Sequence, residues 1–236
     1  MSSDGGNDAI GFFSERAEDF HELYRAQPEF FLERVQIWSE LLDRYATPAG
    51  SALDMGCGPG VFTFYLSKRV GSVVGIDGAS EMLQRCEAQR QELKADNVRF
   101  VQARLPLERE GDFEPADLLI SSSVVEYVDD LDRMLAQFGR LVKPGGALIL
   151  SLPNLASLSR NFQRVKFKLT GEPEIYRHIK HYSLPMLLRR RLKPHGLLFA
   201  EARYYTHFTR LAKIGRAFGW PRILTEDLFV AAFRKI

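Results

Sequence analysis

The chain has 236 residues, of which 45% are hydrophobic and 26% are charged. This balance is typical of a globular domain and argues against disorder of the whole chain. Two cysteines, Cys57 and Cys86, are too few for a disulfide framework or a cysteine-rich zinc site. The sequence contains no apolar run near the ~20 residues of a membrane span and no signal-peptide pattern, so we expect a cytoplasmic protein.

Charge is unevenly distributed along the chain. Residues 1–154 contain 15 Lys and Arg against 25 Asp and Glu, whereas residues 155–216 contain 14 against three. Within the basic segment, residues 159–168 interleave cations with apolar side chains. That pattern fits a solvated cap, contact with an anionic lipid surface, an acidic substrate or, least well, nucleic acid. The two parts of the chain are therefore expected to have different roles.

Hydrophobic periodicity predicts an N-terminal helical region followed by alternating strands and helices. Residues 1–8 are predicted to be a frayed tail, and residues 12–45 show helical spacing that Pro28 interrupts. The predicted strands are residues 51–55, 72–77, 97–102, 116–121 and 147–152, with a helix after residue 60 and helices at 81–95 and 130–141. Such alternation predicts βαβ units and a parallel sheet.

The C-terminal third does not show this alternation of strands and helices. Residues 155–181 are predicted to be irregular, and a helix is predicted at 184–192. Two apolar segments follow, 197–206 and 228–233, without a certain helical crossover between them, so they are expected to pair antiparallel at the sheet edge. We predict an N-terminal helical lid at 1–45 and a main domain at 46–236 with a substrate cap inserted at about 155–181.

A glycine-rich turn carries the strongest functional signal. The strand ending at Met55 runs into Gly56-Cys57-Gly58-Pro59-Gly60, and a helix is predicted to begin directly after it. Glycines let the backbone approach a ligand closely, and the N–H groups of the helix start point towards it. Asp77 ends the next strand, where a carboxylate can accept hydrogen bonds from two ribose hydroxyls. These features predict a nucleoside-containing ligand, and Val61, which replaces a required glycine, disfavours a dinucleotide.

Further segments occur in the order found in one family. Asp54 precedes the turn, Ala116–Ser121 follows as a strand, and residues 125–128, 143–146 and 178–183 read V-E-Y-V, K-P-G-G and H-I-K-H-Y-S. In these segments the chain resembles the class I S-adenosylmethionine-dependent methyltransferases of small molecules, including the ubiquinone-biosynthesis O-methyltransferase group. The resemblance implies an α/β fold with a Rossmann-like, doubly wound, seven-stranded sheet, mostly parallel with an antiparallel edge hairpin and helices on both faces.

The resemblance also implies S-adenosyl-L-methionine as cofactor. Asp54 would help to hold the methionine ammonium group, and Asp77 would bind the ribose. The segment after the third strand, residues 101–106, has no Asp for the adenine amino group, so backbone groups of Ala103 and Arg104 are expected there. Arg34 could hold the cofactor carboxylate or simply be solvated, and the second role is favoured. The predicted cofactor-binding residues are Asp54, Gly56, Cys57, Gly58, Gly60, Asp77, Gly78, Met82, Ala103, Arg104, Ser121 and, from the lid, Tyr24.

Three residues are candidates for a catalytic base: His178 and His181 first, and Glu126 after them. Histidine titrates near neutral pH, although either histidine could equally have a structural role. No third or fourth metal ligand stands near this pair, so no metal site is predicted. The expected reaction is in-line methyl transfer to a small molecule, anionic or lipid-like, at a hydroxyl oxygen. N-methylation, RNA methylation and non-catalytic cofactor binding remain alternatives, and RNA is disfavoured because no Asn/Asp-Pro-Pro element follows residues 116–121.

Overall fold

Seven strands form one sheet in the computed structural model, which describes residues 5–18, 28–206 and 210–236. The strands are β1 (Ser51–Met55), β2 (Ser72–Asp77), β3 (Val98–Gln102), β4 (Ala116–Ser121), β5 (Val142–Pro153), β6 (Leu197–Tyr205) and β7 (Leu228–Lys235). Their spatial order is β3-β2-β1-β4-β5-β7-β6. Strand β7 is antiparallel to β5 and β6, and the other pairs are parallel. The predicted sheet and its antiparallel edge pair are thereby confirmed.

Helices cover both faces of the sheet. They are α1 (Gly5–Glu15), α2 (Pro28–Tyr45), α3 (Val61–Ser67), α4 (Ser80–Leu93), α5 (Leu131–Leu141), α6 (Leu158–Thr170), α7 (Pro185–Leu192), α8 (Arg210–Ala217) and α9 (Arg222–Thr225). The side chains of β4 explain why there is a helix layer on each face, since successive strand residues point to opposite sides of the sheet. Leu118 and Ile120 pack in one core with Trp38 of α2, whereas Leu119 packs in the other with Phe138 of α5.

Three local predictions were wrong. Helix α1 begins at Gly5, within the predicted tail. Strand β5 begins at Val142 and not at residue 147, because Val142 already pairs with Ala116 of β4. Residues 143–146, predicted to be a turn, bulge out of that pairing, with Gly145 at φ +79°. The segment predicted to be irregular contains α6, whose first turn is capped by the Ser157 hydroxyl accepting the Arg160 N–H at 3.1 Å.

The strand order places a crevice at one end of the sheet. Strands β1 and β4 are neighbours, and the chain continues from them in opposite directions along the sheet, through β2 and β3 on one side and β5 on the other. At such a switch point the loops that leave the carboxyl ends of the strands diverge, which opens a space for a ligand. Met55, Asp77 and Ser121 all end strands at this edge.

Candidate active site

A cavity of about 560 Å³ lies at this end of the sheet, which is within the range of small-ligand sites. Most of its lining comes from α1, the glycine-rich turn with the end of β2, the loop after β4, and one face of α6 with the segment that follows. Single residues or short stretches of α2, α3, α4, the loop after β3 and the start of β7 complete it. It therefore joins the predicted cofactor site to residues of the basic segment.

The glycine-rich turn is held in place by the neighbouring strand. The backbone N–H groups of Gly56 and Cys57 both donate to the Ile76 carbonyl, at 2.7 and 3.0 Å. Gly56 has φ +82°, and a Cβ atom there would lie 2.2 Å from Val124 Cγ2. Gly58 has φ +50°, but a Cβ atom there would meet nothing within 4 Å, because this residue borders the cavity. Gly56 is thus a packing requirement, whereas Gly58 leaves ligand space open.

We expect alanine substitutions at these two glycines to have different effects. Gly56→Ala should lower the free energy of unfolding by ~2–4 kcal/mol, because it combines an overpacked contact with a left-handed backbone. Gly58→Ala should cost only ~1 kcal/mol from its backbone conformation, yet it should weaken nucleoside binding because the methyl group enters the cavity. Urea unfolding and ligand titration would measure both effects. Equal stability of the two variants would contradict this account.

Asp77 lies at the end of β2 and braces the turn. Its carboxylate accepts the Gly58 N–H at 2.8 Å and the Ala79 N–H at 2.9 Å. Burial raises the pKa of this carboxyl group, although the backbone N–H bonds oppose that rise. Each carboxylate oxygen has a further lone pair, and Asp77 lines the cavity. The residue can therefore accept hydrogen bonds from a ligand while it holds Gly58.

Asp54, on β1, brings a second buried carboxyl group to the same end of the cavity. It accepts a hydrogen bond from the Thr63 hydroxyl at 2.6 Å. Burial raises its pKa to about 7, which the Thr63 bond and the more distant Arg34 only partly offset. Buried carboxylates are costly without a positive partner, so Asp54 and Asp77 together favour a cationic ligand here. The residues present fit a nucleoside that carries ammonium and sulfonium charges.

The N-terminal helix covers this end of the cavity. Ile10 of α1 lies so close to Gly78 that a Cβ atom there would be 2.8 Å from Ile10 Cδ1. Ile10 and Phe13 pack around buried Met82 and Ala17, and both also line the cavity. Apolar side chains in this position exclude water from the region between α1 and α4.

Glu126 lies at the β4 end of the cavity, in the loop after β4, with β1 between it and Asp77 in the sheet. Its side chain is 2% exposed and its Oε2 atom has no hydrogen-bond partner. Burial raises its pKa to about 7, and Arg160 and Arg34 only partly oppose that effect. Two other lining residues also bury unpartnered oxygens, Ser123 Oγ and Gln163 Oε1. Buried polar atoms without protein partners are uncommon, so these three are available to hydrogen-bond a molecule bound in the cavity.

Two arginines stand near Glu126. Arg34 Nη2 donates to the Ser122 hydroxyl at 2.8 Å, and Arg160 Nε donates to the Asp227 carbonyl at 2.9 Å. Both side chains line the cavity, so Arg34 is not simply a solvated residue as expected. They give this end of the cavity positive charge beside one unpartnered carboxyl oxygen.

The two histidines are not among the residues that line the cavity. His178 is buried and its ring lies 4.6 Å from that of Phe12 in α1, between ring centroids. His181 Nε2 bonds the Val128 carbonyl at 2.8 Å, and burial lowers its pKa. The backbone N–H groups of Lys180 and His181 both donate to the Glu126 carbonyl, at 2.7 and 3.2 Å. In this conformation the histidine segment therefore braces the loop that carries Glu126.

The structure brings most of the predicted site residues together. Those that line the cavity are Asp54, Gly56, Cys57, Gly58, Asp77, Gly78, Met82, Arg104 and Glu126. Gly60, Ala103 and Ser121 lie next to it. The Ala103 N–H donates to the Asp77 carbonyl at 3.0 Å, and the Ser121 hydroxyl donates to the Met55 carbonyl at 2.9 Å. Tyr24 lies outside the described residues.

Sequence reasoning missed the residues contributed by the basic segment. Ser159, Arg160 and Gln163 share one face of α6, and Tyr176 follows from the next turn. Their helical spacing was a usable signal, because positions three and four apart lie on one face of a helix. Asp227, just before β7, gave no such signal.

The fold and the site are those expected of a methyltransferase, and comparison with known proteins agrees. Residues 46–208 match the family described as "Methyltransferase domain". The chain therefore belongs to this family, whose class I members depend on S-adenosyl-L-methionine.

Individual relatives are more distant. The chain is similar to a trans-aconitate 2-methyltransferase of Azoarcus sp. (strain BH72), at 31% identity over 61% of this chain and 53% of the relative. It is also similar to a carboxy-S-adenosyl-L-methionine synthase of Shewanella amazonensis, at 28% identity over 59% of each. The chain thus spans little more than half the length of these relatives. A structure of the N-methyltransferase NodS from Bradyrhizobium japonicum WM9 with S-adenosyl-L-homocysteine has the same fold, with a TM-score of 0.57, 19% identity and 87% of each chain covered.

Proposed function

We propose that this chain transfers a methyl group from S-adenosyl-L-methionine to a hydroxyl oxygen of a small molecule. The single observation that carries the proposal is the continuous cavity between Asp77 and Glu126. One end has the turn and carboxylates suited to a cationic nucleoside, and the other has a buried carboxyl oxygen without a partner. A cofactor and an acceptor could therefore meet inside one cavity.

Binding of the cofactor is assigned to the residues of the first end. Asp77 would bind the ribose hydroxyls, Gly58 would leave room for the close approach, and Asp54 would stabilise the ammonium group. When bound, S-adenosyl-L-methionine supplies an electrophilic methyl group. Alignment of two reactants in a dry site can lower a barrier by ~7–11 kcal/mol, and this chain provides such alignment through the walls of the cavity.

Removal of the acceptor proton is assigned to Glu126. A positioned base contributes ~10²–10⁴-fold to such a step. With a pKa of about 7, Glu126 can hold the proton and release it near neutral pH. His178 and His181 remain candidates only through movement of the segment that now braces the Glu126 loop, so we place them second.

The N-terminal helices are proposed to act as a lid. Ile10 lies over Gly78, and Phe12 contacts His178 of the opposite segment. Phe13 of α1 also lies 5.0 Å from Tyr127, the neighbour of Glu126, between ring centroids, so α1 touches both sides of the cavity. Displacement of α1 would open the cofactor end to solvent, which fits the proposed lid at residues 1–45 and the proposed cap at about 155–181.

A second candidate reaction is methylation of a carboxylate oxygen. Arg34 and Arg160 line the acceptor end, and the chain is similar to a trans-aconitate 2-methyltransferase. Guanidinium groups suit carboxylate recognition, and a carboxylate acceptor needs no base because it has no proton to lose. The two candidates therefore differ in their dependence on Glu126.

Both candidate reactions can be tested by incubating the protein with methyl-labelled S-adenosyl-L-methionine and panels of phenols, alcohols and polycarboxylates. For a hydroxyl acceptor, we expect kcat to rise with pH through about 7 and to fall ~10²–10⁴-fold in Glu126→Gln. For a carboxylate acceptor, Glu126→Gln should retain kcat, whereas Arg160→Gln should raise KM. Micromolar cofactor binding without label transfer to any panel would contradict both candidates and leave N-methylation, RNA methylation or non-catalytic binding. Binding of NAD instead would contradict the cofactor assignment.

A further inference from the structure

Helix α6 has an unusual distribution of side chains. Its inner face, with Ser159, Arg160 and Gln163, lines the cavity. Its outer face carries Leu158, Phe162, Val165 and Leu169, which are 44%, 66%, 56% and 80% exposed. These four follow one another at intervals of four, three and four residues, so they form a single stripe along the helix. The polar face is thus turned inward and the apolar face outward.

Positive charge accompanies the stripe. Lys166 and Lys168 are exposed on the same helix, which has no Asp or Glu between residues 158 and 170. They belong to the segment of residues 155–216 with 14 Lys and Arg against three Asp and Glu. Any surface that covers the stripe must therefore tolerate or attract cations.

A second exposed apolar group lies on the adjoining part of the chain. Ile214, Phe218 and Trp220 are 51%, 77% and 43% exposed, on and just after α8. This part continues into α9, which contacts both α8 and α6. Asn154, shortly before α6, donates from Nδ2 to the carbonyls of Ile223 and Glu226 at 2.7 and 2.8 Å, which ties the two parts together.

We propose that the outer face of α6 docks on an anionic lipid bilayer. Apolar side chains bordered by lysines suit the boundary between acyl chains and anionic headgroups, and aromatic residues such as Trp220 favour the same depth. The core of a protein–protein interface, by contrast, is depleted in lysine. Among the described residues no helix is long and apolar enough to cross a membrane. Helix α6 would lie along the bilayer surface, with its exposed apolar side chains towards the acyl chains. Docking sets the cavity wall directly against the lipid.

Vesicle sedimentation with the full chain tests this surface. The wild type should bind vesicles of phosphatidylcholine with roughly one third phosphatidylglycerol, and bind pure phosphatidylcholine far more weakly. Added salt should weaken binding, because it screens the lysines beyond a distance of about 10 Å. The double variant Phe162→Ser/Leu169→Ser should bind at least ~10-fold more weakly, since burial of one such side chain already contributes that factor.

Leu93→Ser is the matched control, because Leu93 is 48% exposed on α4, away from the stripe. It should bind vesicles as the wild type does. Unfolding by urea and titration with S-adenosyl-L-methionine in the absence of lipid would show that each variant is folded, and would keep this test separate from the proposed activity. Wild-type binding retained by the double variant, or no binding to anionic vesicles, would overturn the proposal. So would a wild-type dimer in light scattering that the double variant dissociates, since the stripe would then contact a second copy.

Discussion

Replacement of Asp77 with alanine is expected to weaken binding of S-adenosyl-L-methionine by at least ~100-fold, from the loss of two hydrogen bonds to a charged acceptor at ~1.5 kcal/mol or more each. Asp77 also fixes the turn, through bonds of 2.8 Å from Gly58 and 2.9 Å from Ala79. The substitution therefore removes a direct contact and loosens the loop that faces the ligand. Isothermal titration calorimetry with S-adenosyl-L-methionine measures the effect.

Two further variants separate these contributions. Asp77→Asn keeps the size of the side chain and one carbonyl oxygen, so it should retain more of the affinity than Asp77→Ala. Asp43→Ala is the control, since Asp43 is an acid on α2 that bonds Arg69 and Tyr65 outside the cavity. An Asp77→Ala variant that is folded and binds within threefold of the wild type would remove Asp77 from the cofactor site.

The cofactor end of the site could be predicted because its requirements are local. A turn that approaches a ligand needs glycine within a few residues of a strand end, and the ribose acceptor must end the adjacent strand. Gly58 and Asp77 satisfy these requirements within one βαβ unit, so their spacing along the chain fixes their spacing in the structure. The same argument explains why the first five strands were predicted within a few residues, apart from the early start of β5.

Ser121 illustrates the limit of that argument. It ends β4, as predicted, but its hydroxyl bonds the Met55 carbonyl of the neighbouring strand. The next two residues, Ser122 and Ser123, line the cavity instead. Three consecutive serines offer no pattern that shows which hydroxyl extends past the strand end, since this depends on the direction in which the loop leaves the sheet.

The acceptor end could not be predicted because its residues come from distant parts of the chain. Helix α6 was missed since its apolar stripe faces outward, whereas the usual interpretation assigns apolar positions to the core. His178 and His181 were selected for their chemistry, yet backbone bonds to the Glu126 carbonyl decide where their segment lies. Sequence can indicate which residues are reactive, but the tertiary contacts decide which of them face a cavity.

Replacement of Glu126 with glutamine is expected to stabilise the folded protein at high pH. Burial raises the pKa of Glu126 from an ordinary 4.5 to about 7, so the folded state binds this proton more tightly than the unfolded state. Stability must then fall as pH rises from about 4.5 to about 7, and remain lower above that range. The difference corresponds to ~3 kcal/mol, and glutamine, which does not titrate, avoids it.

Urea unfolding at pH 4 and pH 8 would measure this effect. The two proteins should have similar free energies of unfolding at pH 4, where Glu126 is protonated, and Glu126→Gln should be more stable by ~2–3 kcal/mol at pH 8. Asp54 titrates in the same range but is present in both proteins, so the comparison isolates Glu126. Glu40→Gln is the control, because hydrogen bonds from Gln36 and Arg203 lower the pKa of Glu40 and its removal should give no gain at pH 8.

The sign of the result distinguishes two roles for Glu126. A carboxylate that stabilises the fold through Arg34 or Arg160 would make Glu126→Gln less stable at pH 8, and the residue would then be structural. A gain in stability would mean that the buried carboxyl group of Glu126 lowers the free energy of unfolding of the wild type at pH 8. Such a cost is typical of residues required for chemistry, because a base that works near neutral pH must be held where its charged form is disfavoured. Greater stability at pH 8 together with lower turnover on a hydroxyl acceptor would therefore identify Glu126 as the base.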